Sequence, residues 1–93
     1  MKNADVINAW NLGQTAQSHT GSLRTDGDKI WSYSLVVGRS DGDGNKVIFD
    51  FTSGGGCFAS QTTSVHVNKI KQLTPKGSCT IMRPEVAKIA GLI

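Results

Sequence analysis

A chain of 93 residues is long enough for one core and leaves no room for a second, so residues 1–93 are read as a single domain that buries about 60–65% of its unfolded surface. Hydrophobic residues are 38% and charged residues 18% of the chain, which excludes an intrinsically disordered protein, and no apolar run approaches the ~18 residues of a membrane span. The net charge of +3 is unevenly spread: basic and acidic residues balance five to five up to Lys46, whereas Lys69, Lys71, Lys76, Arg83 and Lys88 face only Asp50 and Glu85.

The start, Met1-Lys2-Asn3-Ala4-Asp5, is not signal-like, so a reducing cytosol and two free thiols, Cys57 and Cys79, are expected. Asn3 as N-cap, Asp5 in the first turn and Val6, Ile7 and Trp10 on one side predict a short helix that Gly13 stops. Gln14 to Gly21 is polar and reads as a loop. From Ser22 the period becomes two: Leu23 to Thr25 pairs through Asp26-Gly27-Asp28 with a long strand, Lys29 to Arg39, whose Trp31, Tyr33, Leu35 and Val37 are assigned to the core face. After Asp41-Gly42-Asp43-Gly44-Asn45, the residues Lys46 to Thr52 form the return arm of a hairpin, with Val47, Phe49 and Phe51 on one side. Cys57 to Gln61 follows as a short strand beyond three glycines.

Thr62, Thr63 and Ser64 are expected to cap a helix with the body Val65 to Leu73, closed by Pro75 and Gly77; Ser78 to Arg83 is a further strand, and Pro84 opens a last helix through Val86, Ile89 and Ala90. The expected fold is α+β, an antiparallel sheet of four to five strands with two or three short helices, in the order α-β-β-β-β-α-β-α.

Few residues carry the signature of a chemistry. His66 falls on the apolar stripe of the middle helix with Ile70 and Leu73, which reads as a packed histidine with a satisfied ring nitrogen. Cys57 is the single local partner it could have for nucleophilic catalysis, and no catalytic residue is assigned. Asp41-x-Asp43-x-Asn45 opens like a calcium loop but has Lys46 where glycine and Thr52 where glutamate is needed, so no metal or other cofactor is expected. The aromatic residues from Trp31 to Phe58 lack an RNP-type motif and are assigned to the core, although a base-stacking sheet would use the same residue types.

The segment Ser60-Gln61-Thr62-Thr63-Ser64-Val65-His66, with Trp31-Ser32-Tyr33-Ser34-Leu35-Val36-Val37 upstream, resembles a family of small bacteriophage and prophage proteins whose shared segment reads roughly Tyr-Ser-x-Thr-Thr-Ser-x-His. Ala59 stands where that family has tyrosine. The resemblance implies a phage or mobile-element product in the bacterial cytoplasm. By analogy of size and origin, the expected function is a stoichiometric binding inhibitor of a host defence complex, an anti-CRISPR protein being one such case, with no enzymatic activity. Its partner would be a host protein or ribonucleoprotein met by Lys69, Lys71, Lys76 and Arg83; the alternative is a weak, sequence-independent nucleic-acid-binding accessory protein.

Overall fold

The computed structural model describes residues 2–41, 45–51, 61–75, 77 and 79–92. It is an α+β domain in the order α1 (Asn3–Asn11), β1 (Thr15–Gln17), β2 (Leu23–Asp26), β3 (Lys29–Ser32), β4 (Leu35–Ser40), β5 (Lys46–Phe49), α2 (Gln61–Leu73), β6 (Cys79–Met82) and α3 (Pro84–Ile89). The strands form one six-stranded sheet in sequence order. The first five are antiparallel neighbours, and β6 lies parallel to β5.

That last pairing corrects the expectation of a wholly antiparallel sheet. α2 lies in the connection from β5 to β6 and returns the chain to the starting edge of β5, as a parallel pair requires. The expected strand at Cys57 to Gln61 falls outside the described residues up to Ser60, and Gln61 already belongs to α2. Two further strands were unforeseen. β1 forms in the expected loop because Thr15 to Gln17 pair with Asp26 to Arg24. The long strand Lys29 to Arg39 is a hairpin, folded at Tyr33-Ser34 with Ser32 opposite Leu35.

This turn places Tyr33 at φ 57, in the left-handed region that a residue with a Cβ adopts only under strain. It also changes which side chains face inward. Ile30 and Ser32 are buried with Leu23 and Thr25 on one face; Trp31 is half-buried on the other, and Tyr33 is 55% exposed. A one-residue change of phase exchanges the faces of a whole strand, which corrects the placement of Trp31 and Tyr33 in the core. Across the hairpin Trp31 pairs with Val36 and Ile30 with Gly38, so Val37 is the extra residue of a bulge.

α1 and α2 cover the inner face. Val6, Ile7, Ala9 and Trp10 of α1 are buried, and the Trp10 indole N–H donates to the Asp28 carbonyl at 2.9 Å. Lys2, rather than Asn3, is the N-cap, and Asp5 accepts a bond from its backbone N–H. Gly38 lies beneath Trp10: a Cβ there would come within 3.0 Å of the indole and 2.9 Å of Ile30. α2 buries Thr63, His66, Val67 and Ile70, the i, i+3, i+4, i+7 spacing of one helical face. Its expected caps Thr62 to Ser64 lie inside the helix, and Leu73 is largely outside the core.

β5 is buried at all four positions. Ile48 shares the inner face with Gly38, and alternation puts Val47 and Phe49 on the outer face; Arg39, cross-strand from Val47, donates to the Leu92 carbonyl at 3.2 Å, which brings the C-terminal segment beside that face. Pro84 is the first residue of α3, as expected, but that helix buries Pro84 and Ala87 and leaves Val86 and Ile89 exposed. Lys46 is an inner-face exception, 6% exposed, with its ammonium donating to the Trp10 carbonyl at 2.9 Å and the Ser40 hydroxyl at 2.7 Å. Burial pushes its pKa down from 10.5, and the carboxylates of Asp28 and Asp41 oppose that shift. No helix among the described residues is long and apolar enough to cross a membrane.

Candidate functional site

Thr63 and His66 of α2 meet the strand that precedes the Tyr33 turn. Ser32 Oγ lies 2.7 Å from His66 Nδ1 and 3.1 Å from Thr63 Oγ1, joining β3 to α2. With His66 neutral, a relay in which Thr63 donates to Ser32 and Ser32 donates to His66 satisfies the serine hydroxyl and Nδ1 in a consistent sense. Desolvation depresses the His66 pKa below 6.5, in keeping with the neutral ring. A serine and a histidine at this distance could exchange a proton, but Ser32 is 1% and His66 3% exposed, so no substrate reaches either. The three residues therefore act as a clamp between layers. Cys57 lies outside the described residues.

Two of the four cations assigned to a partner are engaged in ion pairs. Lys71 donates to Asp50 at 2.8 Å, and Arg83 pairs with Glu85 at 2.6 Å. Lys76 lies outside the described residues. Lys69 is brought beside other basic groups: with Lys2 and His19 it lines a groove of about 470 Å³ between the start of α1 and the turn that joins β1 to β2. The hydroxyl residues Ser18, Thr20 and Ser22 complete the wall, and none of the described lining residues is acidic.

Local sequence explains that wall. Ser18 is buried, and its Oγ accepts from the Leu23 N–H at 3.2 Å, which closes the turn and leaves the hydroxyl proton available as a donor. The Thr20 and Ser22 hydroxyls lie 3.0 Å apart. Two lysines, a histidine and three hydroxyls can together bind an anion by charge and by hydrogen bonds, as phosphate and carboxylate oxygens require.

On the opposite face of the same hairpin, Thr15, Gln17, Arg24, Asp26 and Trp31 line a second groove of about 340 Å³. Arg24 is the cross-strand neighbour of Trp31 and holds its guanidinium 4.4 Å from the indole centroid. Asp26 Oδ1 accepts from the backbone N–H groups of Lys29 at 2.8 Å and Asp28 at 2.9 Å, and these bonds, Lys29 first, hold its carboxyl below 3.8. The two grooves are adjacent in sequence, since Gln17 precedes Ser18 and Ser22 lies two residues before Arg24.

No protein-family model, curated protein or solved structure matches the chain. Lys2, His19 and Arg24 went unmarked in the sequence because they are far apart and carry no motif, and Trp31 was assigned to the core. The one available signal was Ile30 and Ser32 alternating with Trp31, which permits the opposite phase.

Proposed function

We propose that this protein is a stoichiometric binding inhibitor of a host nucleoprotein defence complex, of the CRISPR effector kind, and that it acts in a bacterial cytoplasm as a phage or mobile-element product. The observation that carries this reading is the groove of Lys2, His19 and Lys69 with no acid among its described lining residues. Such a groove engages an acidic rim or a phosphate path on a nucleoprotein, and opposite charge accelerates the encounter. The buried Ser32–His66 pair supports action by occupancy and not by bond-making.

The test is inhibition of a purified CRISPR effector from the host by increasing amounts of protein. Inhibition should saturate at an equimolar ratio and weaken as salt rises, and the double variant Lys2→Glu, Lys69→Glu should lose it. Undiminished inhibition by that folded variant removes the groove from the mechanism; absence of inhibition by the parent at any ratio removes the function.

The hydroxyls beside the cations favour a second reading, direct and sequence-independent binding of nucleic acid. It predicts retardation of naked RNA or single-stranded DNA at low salt, with an affinity that falls linearly with salt on logarithmic axes. No retardation in low salt would eliminate it.

A further inference from the structure

The Arg24–Trp31 face of the β1–β2–β3 sheet lines a groove separate from that of Lys2, His19 and Lys69. Along β4 and β5 the outer sheet face is closed, with Val47 8% and Phe49 0% exposed. Along β1 to β3 it is open, and there it holds a half-buried indole beneath an exposed guanidinium. Arg24 makes no ion pair among the described residues, so its charge is not committed to a carboxylate.

We infer that this face is a stacking platform for a nucleobase of single-stranded nucleic acid, with the base on the outer side of the Arg24 guanidinium that the Trp31 ring supports, and Gln17, Thr15 and Asp26 meeting its edge. Indole and guanidinium planes both stack on bases, whichever base is present. The amide of Gln17 and the hydroxyl of Thr15 each donate and accept, and the Asp26 carboxylate accepts, which matches the mixed edge of a base and not the apolar rim of a protein anchor. Charge selects the same occupant. Lys29 lies on this face two residues before Trp31, cross-strand from Arg39, so a strand that places a base at Arg24 and Trp31 has cations along the same side of the sheet for its phosphates. The cross-strand contact of Arg24 with Trp31 also stiffens the hairpin, and the test separates that role from binding.

The chain has two tryptophans, and Trp10 is fully buried, so ligand-induced quenching of tryptophan emission reports on Trp31. The full-length protein is titrated with a short single-stranded oligonucleotide, an abasic strand of equal length and adenosine. The oligonucleotide should quench saturably; by fluorescence anisotropy of end-labelled strands, which needs no tryptophan, it should bind more tightly than the abasic strand and lose about 5- to 150-fold in affinity in Trp31→Ala, where the two strands become equivalent. Trp31→Phe, which keeps a ring, should retain most of the difference and guards against a folding defect. Lys2→Ala with Lys69→Ala should weaken both strands alike and leave quenching by uncharged adenosine unchanged, so failure of the cationic groove is distinguishable from failure of the platform. Equal affinity for the two strands in the parent, or unaltered base preference in a folded Trp31→Ala protein, would overturn the assignment.

Discussion

The two tryptophans of this chain mark two differently built regions of one sheet. Trp10 is fully buried over the inner face, bonded through its indole N–H and packed where only the missing side chain of Gly38 gives it room. Trp31 lies on the outer face, half-buried, against a charged neighbour. The region around Trp10, with β4, β5 and α2, is closed on both faces of the sheet, as the four buried residues of β5 require. Around Trp31 the first hairpin is covered on one face only. Stability is therefore concentrated in the first region, and the second can change its outer side chains at small cost.

The largest test of that contrast is Phe49→Ala, which should destabilise by about 3–5 kcal/mol in urea unfolding because the side chain has no exposure and its cavity cannot collapse. A cost below that of an ordinary surface substitution would mean that the outer face of β5 is not closed. Next comes Ser32→Ala, expected to cost about 1–3 kcal/mol since it strips buried partners from His66 and Thr63.

The same clamp predicts a pH dependence. The folded-state pKa of His66 lies below its ordinary 6.5, so the folded protein binds the proton less readily than the unfolded chain. This contribution to stability is complete above about pH 6.5 and is lost as the pH falls through the depressed folded value. Urea midpoints recorded from about pH 8 to about pH 5 should decline, and less steeply in His66→Gln; parallel curves for the two proteins would contradict a neutral buried ring.

Smaller effects sharpen the picture at the open end. Tyr33→Gly should raise stability by about 0.5 kcal/mol, because relief of the left-handed conformation slightly exceeds the extra chain entropy of glycine. A loss instead would show that the ring, 6.2 Å from that of His66, contributes packing that outweighs the strain. Smallest of all, Arg24→Ala should shift the unfolding midpoint by no more than about 0.5 kcal/mol while weakening oligonucleotide binding. A large destabilisation would recast the guanidinium as a structural part of the hairpin.

Much of the local architecture was legible before any coordinates. The first helix, the Asp26–Asp28 turn, the β4–β5 hairpin, the middle helix with His66 inward and the helix begun by Pro84 all carry short-range signals, chiefly period, caps and turn residues. The turn at Tyr33-Ser34 carries none: it has neither glycine nor asparagine, and the alternation runs through it unbroken. β1 was equally silent, since its three residues are extended only because β2 offers partners. For the site, Lys69 was marked in advance, but its neighbours Lys2 and His19 come from distant segments that no spacing rule connects.

Composition and periodicity determined that this chain folds as an α+β domain with most of its elements in the right places, because helices and hairpins depend on neighbours a few residues away. The tertiary structure decided the phase of β3, the parallel docking of β6 and the partners of Lys46 and Lys71, since these depend on segments far apart in the chain. Trp10 and His66 occupy the inner face, and Trp31 is left on the outside.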